Sequence, residues 1–377
     1  MSRGASTPKS SRIIRVRVRR TSESYSVRVG RGLLARAGSL LRPIAPGRTV
    51  ALVTDRTVAR LHGSPVLASL RRAGFRVVPT QLAPGERSKS LDTVRVLVES
   101  WTREGISRDA VVVALGGGVV SDVAGFAAAT FARGIPWVAF PTTVLAQADA
   151  AIGGKVGVNL SSGKNLLGSF HHPRGVFADP DALATLSPRA FRSGLAEVVK
   201  MGVIRRPHLL PRLLALADVD RPAAIALLPP IIEECAAAKA WYVERDERDH
   251  GIRRELNFGH TVGHALEAEE KFQSYQHGEA VSVGMVAALR LSVRHAGLDP
   301  KDAEGVVDLL RALGLPTRLR RMPGPRFWNA LRRDKKRGRL LPRVVLCPAI
   351  GKAEVYELAS LTSLRRAVQS LVRRSES

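Results

Sequence analysis

Short apolar runs separated by polar turns open the chain, and long amphipathic stretches close it. Residues 14–19 alternate apolar and basic side chains with period two. Residues 25–29 do so again after Thr21-Ser22-Glu23-Ser24. That pattern predicts a β-hairpin with one solvated face carrying the arginines. From residue 49 the pattern changes to short apolar runs separated by helical stretches, predicting buried strands at 49–53, 75–79, 110–115 and 137–140. Three of these end in chemistry-bearing turns: Thr54-Asp55, Gly116-Gly117-Gly118 and Pro141-Thr142-Thr143. Strands alternating with helical stretches predict a mainly parallel, Rossmann-like α/β sheet.

Beyond about residue 185 the strand signals fade and helical periodicity takes over. Helices are expected at 188–204, 222–245, 259–271 and 281–295, then at 303–313, 325–332 and 361–373, with a late strand near 343–346. The change of pattern near 179–187 divides the chain into a basic, disordered tail (1–12), an α/β domain (13–184) and a mainly helical domain (185–377). Two domains suit a length of 377 residues. There is no internal repeat.

Composition adds one anomaly. Apolar residues make up 45 %, enough for full cores, and the two cysteines exclude a disulfide-stapled secreted scaffold and fit a reducing cytoplasm. The net charge is +26, which raises nucleic acid as a partner. Against that, only eleven of the 59 basic residues are lysines, the rest being arginines spread along the chain rather than clustered on one stripe. Aromatic residues are 5 %, too few for a base-stacking platform, and no binding module is present. Specific nucleic-acid binding is therefore not expected. Nor is a membrane association: the apolar stretch 111–131 carries Asp122 and glycines between Arg108 and Arg133, and the N-terminus has no apolar leader core.

Several segments carry candidate chemistry. The Gly116-Gly117-Gly118 turn runs from a strand into a helix, where free N–H groups and the positive dipole end suit a phosphate. It matches neither the dinucleotide fingerprint nor a Walker loop, so phosphate site and plain tight turn both remain open. Asp149 to Asn165 is polar and glycine-rich, with the Gly-Lys pairs ending in Lys155 and Lys164 alongside Asn159. It reads as a loop suited to an oxyanion. His260 and His264 lie four apart on one helical face, and His277 begins another helix. Glu197 lies three residues before Lys200. Two or three histidines and a carboxylate converging from different helices match a catalytic zinc site, with His260 or His264 as a ligand. Lys239, Asp246-Glu247-Arg248, Arg253 and Asp334-Lys335-Lys336 add charges suited to a substrate carrying phosphate and carboxylate. His171, His172 and His250 lack such context and read as surface residues.

Together these motifs resemble the 3-dehydroquinate synthase family within the sugar-phosphate cyclases. The resemblance runs from about residue 27 to 355. It rests on Pro84-Gly85-Glu86 with Lys89-Ser90, the triple-glycine segment to Arg133-Gly134, and Pro141-Thr142-Thr143 to Asn165. Further along are Gly194 to Lys200, Asn257 to Glu267, His277-Gly278-Glu279, Asp334-Lys335-Lys336 and Ile350-Gly351.

The resemblance implies a cytoplasmic, homodimeric enzyme with an NAD-binding α/β domain, a helical domain and a cleft between them. It implies Glu197, His260 and His277 as ligands of zinc, with cobalt as an alternative, and His264 beside them. For NAD it implies Asp55, Glu86, Lys89, Gly117, Gly118, Asp122, Thr142, Thr143, Lys155, Lys164, Leu183 and Thr185. For a sugar acid phosphate it implies Asp149, Lys155, Asn165, Lys200, Lys239, Arg253, Asn257 and Lys336, with Arg133 reaching over from a neighbouring subunit. Thr57 and Leu160-Ser161-Ser162 depart from residues common in the family, outside the implied catalytic positions.

The implied reaction is cyclisation of 3-deoxy-D-arabino-heptulosonate 7-phosphate with loss of phosphate. Transient oxidation of a carbinol by NAD acidifies the neighbouring proton, β-elimination follows, and the hydride is returned. Two neighbouring readings differ in outcome. Cyclases making valiolone- or inosose-type rings change the carboxylate- and phosphate-reading residues, whereas Lys239, Arg253, Asn257 and His264 are kept here. Metal-dependent dehydrogenases of the same architecture would release NADH stoichiometrically.

Overall fold

Six parallel strands form the sheet on which the first half of the chain is built. A computed structural model describes residues 24–161, 163–269, 274–333 and 343–372. The strands are β1 (Ser26–Val29), β2 (Thr49–Asp55), β3 (Arg76–Leu82), β4 (Val111–Gly116), β5 (Trp137–Pro141) and β8 (Gly175–Ala178), in the order β1-β8-β5-β4-β2-β3. Every pairing between them is parallel. β4, β5 and β8 are buried along their whole length because helices cover both faces, which is why their sequences are unbroken apolar runs rather than alternating ones. The four runs predicted as strands are β2 to β5, and β8 is an addition. The apolar stretch 111–131 resolves into β4 and the helix Gly118–Thr130 beneath the sheet. No helix among the described residues is long and apolar enough to cross a membrane.

Of the predicted N-terminal hairpin, the first strand and the turn up to residue 23 lie outside the described residues, as does the N-terminal tail. The second strand, β1, pairs in parallel with β8, from Ser26 opposite Gly175 to Val29 opposite Ala178. A clearer correction concerns the Gly-Lys segment. Instead of a loop it forms an antiparallel hairpin, β6 (Lys155–Leu160) with β7 (Gly163–Phe170). Its glycines misled because they serve close approach rather than flexibility. A Cβ on Gly157 would stand 2.6 Å from the Leu167 carbonyl, and one on Gly168 would stand 2.4 Å from that of Val156.

The second half is helical. Pro188–Ile204 starts where Ser187 Oγ accepts the Ala190 N–H at 3.2 Å, with Pro188 at the first position. From Ser193 to Ile204 it is buried on all sides. Around it lie Leu209–Ala217, which the periodicity did not signal, Arg221–Arg245, His260–Glu269, His277–His295, Pro300–Ala312, Pro325–Arg333 and Leu361–Gln369. A small antiparallel pair, β9 (Arg343–Ala349) and β10 (Lys352–Glu357), packs on His277–His295. This last helix starts four residues earlier than the apolar pattern alone gives. A reciprocal capping box supplies the reason, with Glu279 accepting the Gln276 N–H at 2.9 Å.

Two glycines set how closely these helices meet. A Cβ on Gly278 would fall 1.8 Å from the Ser193 carbonyl oxygen, and one on Gly284 would fall 1.9 Å from that of Gly259. Neither backbone neighbour can yield cheaply. Gly278→Ala is therefore expected to cost at least about 1–3 kcal/mol of stability, the usual range for overpacking, and to show as a lowered urea midpoint with unchanged slope.

Candidate active site

Two helix starts and one mid-helix position bring metal-type donors together. Glu197 comes from the middle of Pro188–Ile204, His260 is the first residue of its helix, and His277 is the first of the next. The tight packing at Gly278 and Gly284 draws these helices together, so one donor atom from each side chain lies within 4.8 Å of the others. His260 Nε2 is 3.5 Å and His277 Nε2 3.4 Å from Glu197 Oε1. The opposite ring nitrogens are spoken for: His260 Nδ1 meets the Phe258 carbonyl at 3.1 Å, and His277 Nδ1 meets Glu267 Oε1 at 3.3 Å. Such backing fixes each ring and leaves Nε2 facing the centre.

Both Glu197 oxygens are buried and accept no hydrogen bond of good geometry. Oε2 lies against the Lys200 ammonium, while Oε1 faces two imidazole nitrogens, a buried donor set that fits zinc or a similar divalent ion. Burial opposes ionisation of Glu197, but Lys200 and His277 outweigh it and hold the carboxyl well below its usual range. For His277, too, burial is opposed, here by Glu197 and Glu267, which raise the ring to about 9.

The ambiguity between His260 and His264 is resolved by geometry. His260 faces Glu197, whereas His264 stands beside the donor set, its ring 5.1 Å from that of His260 and 6.2 Å from that of His277. Desolvation there, with His277 and Lys164 nearby, favours its neutral form against the opposing charge of Glu267, although the residue is exposed.

Lys200 joins this set to a second cluster. Its ammonium bridges Glu197 and Asp149 Oδ2, the latter at 3.1 Å, while Lys239 pairs with Asp149 Oδ1. All three side chains are nearly or wholly buried. Burial would raise the Asp149 carboxyl, but Lys200 and Lys239 hold it low. Burial and the neighbouring cations Lys200 and Arg253 push Lys239 down, with Asp149 resisting. Arg253 is buried behind them, donating from Nη2 to the Gly153 carbonyl at 2.8 Å and from Nη1 to that of Glu247 at 2.6 Å, which leaves Nε without a partner.

On the sheet side, chain order reverses between β2 and β4, and in open α/β sheets such a reversal opens a crevice at the carboxyl ends. Asp55 ends β2, Gly117 and Gly118 follow β4, and Thr142 and Thr143 follow β5. Gly117 is the residue before the helix Gly118–Thr130 and supplies no side-chain cap, so the first N–H groups of that helix are open to a ligand. A Cβ there would meet Thr143 Cγ2 at 3.1 Å. This cradle suits a dinucleotide phosphate. Lys89 pairs with Asp122, and Asn159 Nδ2 donates to Glu86 Oε1 at 2.8 Å. Lys164 Nζ lies 3.4 Å from Glu86 and 2.9 Å from Glu267. Thr185 Oγ1 contacts His62 Nε2 at 2.8 Å, and the side chain of Leu183 is fully buried, beside that crevice.

Other expected residues sit apart from these contacts. Lys155 is exposed and pairs with Asp249 at 2.5 Å. Asn165 is exposed on β7 with φ 53°, its N–H on Asn159 Oδ1, and Asn257 is half-buried at the end of the turn before His260. Arg133, at φ 67° beyond the end of Gly118–Thr130, is exposed and makes no ion pair among the described residues. Lys335 and Lys336 lie outside the described residues.

Two surface expectations are corrected. His171 and His172 are half-buried, the first with Nε2 on the Ile135 carbonyl at 2.9 Å and the second tilted against Tyr25 with ring centroids 5.8 Å apart. Tandem histidines carry no periodicity, so nothing in the sequence distinguished them. Two further residues, Glu267 and Asp246, gain roles from the structure that their motifs alone do not give them. Glu267 is seven residues after His260 and three after His264, hence on the same helical face, a signal that was available. Asp246 gathers the N–H groups of His250, Gly251 and Arg253 at 2.7–3.0 Å and so shapes the turn that delivers Arg253.

Comparison with known proteins places this geometry. The family profile for the 3-dehydroquinate synthase N-terminal region matches residues 79–193, and that for the C-terminal region matches residues 194–337. A 3-dehydroquinate synthase from Geobacter metallireducens is 42 % identical over 347 residues, 90 % of this chain and 95 % of the relative. Among solved structures, 2-epi-5-epi-valiolone synthase from Streptomyces hygroscopicus subsp. jinggangensis, with NAD+ and Zn2+ bound, superposes with TM-score 0.84. It is 29 % identical, covering 94 % of this chain and 99 % of its own. A 2-deoxy-scyllo-inosose synthase complexed with carbaglucose-6-phosphate, NAD+ and Co2+ gives TM-score 0.79 at 26 % identity, covering 93 % and 98 %.

Proposed function

The chain belongs to the 3-dehydroquinate synthase family, and from that premise we propose how its cleft divides the work. The enzyme converts 3-deoxy-D-arabino-heptulosonate 7-phosphate to 3-dehydroquinate and phosphate, using NAD and a divalent cation, zinc or cobalt. The observation that carries this reading is the sharing of Lys200 between Glu197 and Asp149. It sets a metal-type donor set and a buried cation cluster side by side, as a substrate with both a carbinol and a phosphate requires.

Glu197, His260 and His277 would hold the cation. Asp55, Glu86, Lys89, Gly117, Gly118, Asp122, Thr142, Thr143, Lys164, Leu183 and Thr185 would hold the dinucleotide, with residues 13–184 as its domain and 185–377 as the metal and substrate domain. When bound, NAD supplies a transient hydride acceptor and the divalent ion a Lewis acid for the carbinol oxygen. The chain's own residues do the rest. Asp149 fixes the ammonium groups of Lys200 and Lys239 in a dry site, where they act on oxyanions without reorganising. Lys155 and Lys239 meet the charge that grows on the phosphate oxygen as its bond to carbon breaks and it leaves with the electron pair. A ring nitrogen of His264, neutral and open to the cleft, takes up or relays the proton lost from the adjacent carbon.

Arg253, through Nε, together with Asn257, Asn165 and Lys336, would orient the sugar acid. Arg133 would reach the phosphate of a neighbouring subunit in a homodimer. Both cysteines are buried and unpaired, which fits a reducing cytoplasm.

The test is phosphate release from the seven-carbon substrate, with and without NAD and chelator. Stoichiometric phosphate with no net rise in NADH absorbance is expected. Chelation should abolish turnover, and zinc or cobalt should restore it. Stoichiometric NADH would identify a dehydrogenase. Turnover of a ketose phosphate lacking the carboxylate, in place of this substrate, would identify another cyclase.

A further inference from the structure

Glu267 has two customers. Its side chain is 4 % exposed, and a single oxygen, Oε1, takes His277 Nδ1 at 3.3 Å and Lys164 Nζ at 2.9 Å. Oε2 is buried without a hydrogen bond. Lys164 comes from β7 of the sheet half and lies 3.4 Å from Glu86, whereas His277 comes from the helical half and turns Nε2 to Glu197. Glu86, Lys164, Glu267, His277 and Glu197 thus form a continuous line of alternating charge and hydrogen bonding from the dinucleotide crevice to the metal donors.

We propose that Glu267 is a positioning residue that couples the two ligand sites, so that dinucleotide and divalent cation each tighten the other's binding. The proposal rests on the assignments of Lys164 and His277 made above. One carboxylate oxygen shared between two donors gives neither its full strength. An anionic dinucleotide that engages the Lys164 ammonium draws it from Glu267, and more of the carboxylate's charge then falls on His277. That strengthens the opposite ring nitrogen as a metal donor. A cation held at His277 acts in reverse, holding Glu267 to the imidazole and leaving Lys164 to the dinucleotide. Coupling of binding is reciprocal, so the two effects have one magnitude.

The measurement is zinc affinity of the full-length, metal-stripped protein, by competition with a chromophoric chelator, without NAD and at saturating NAD. NAD affinity with and without zinc is the cross-check. In the parent protein NAD should tighten zinc at least about fivefold, and zinc should tighten NAD by the same factor. In Glu267→Gln, which keeps the shape and loses the charge, the factor should fall below about twofold while both ligands still bind. Lys164→Gln, on a partly exposed hairpin lysine, should give the same collapse and covers the case in which Glu267→Gln does not fold. A factor near one in the parent protein, or an unchanged factor in the variants, overturns the coupling. Zinc binding indifferent to Glu197→Ala would instead overturn the assignment of the cleft itself.

Discussion

His277→Ala is expected to abolish cyclisation, lowering kcat/KM by at least about three orders of magnitude, while the purified protein keeps its native circular dichroism. A thousandfold loss corresponds to about 4 kcal/mol of transition-state stabilisation. Removing one of three donors from a Lewis-acid centre accounts for that loss. The fold should survive for local reasons. His277 is partly exposed, the capping box of its helix is made by Gln276 and Glu279, and Glu267 keeps Lys164 as a partner when Nδ1 is gone. Bound zinc, counted by atomic absorption after gel filtration, should fall with activity. Full turnover by a folded, zinc-free variant would refute the donor assignment.

Much of this centre was legible because chemistry and periodicity coincide there. Glu197 and Lys200 sit one helical turn apart in a segment whose apolar pattern already marks a buried helix. A carboxylate and an ammonium inside such a helix need a reason to be there. The parallel sheet was legible for a related reason: strands buried on both faces read as unbroken apolar runs, and β2, β4 and β5 do, whereas β3 at the sheet edge carries Arg76, Thr80 and Gln81 among its apolar residues. Lysine usage was an unexpected guide. In a chain whose basic residues are mostly arginine, Lys89, Lys164, Lys200 and Lys239 each pair with a carboxylate in the crevice or the buried charge cluster.

What escaped the sequence was set by contacts distant along the chain. The β6–β7 hairpin looked like a loop because Gly157 and Gly168 are there for each other, and strand propensity cannot register a partner strand. β8 is four residues long and opens on a glycine and closes on an alanine, residue types with little strand preference. The choice between His260 and His264 turned on ring direction, and that depends on the Phe258 carbonyl and on how Gly284 seats its helix. Glu267 was missed although it shares a helical face with both histidines. Its role is defined by Lys164, 103 residues away in sequence.

Asp149→Ala should be the most damaging change to stability in the cleft. It leaves the ammonium groups of Lys200 and Lys239 buried with one counter-charge, Glu197, near Lys200 alone. Breaking a buried ion pair from one side costs about 3–5 kcal/mol, chiefly through the uncompensated charge that remains. The pH dependence gives the cause away. Burial and neighbouring cations already hold Lys239 below its ordinary value of 10.5, and Asp149 is the group that resists this. Without Asp149 the folded-state value falls further, while the unfolded one stays. Between those two values the unfolded chain binds more protons, so stability must rise with pH. The deficit of Asp149→Ala, read from urea midpoints, should therefore shrink as pH climbs from 7 towards 10. Adding Lys239→Met should recover part of it at neutral pH, because the second change removes the stranded charge. A deficit independent of pH and unrelieved by Lys239→Met would mean that the cluster is held by packing rather than by charge.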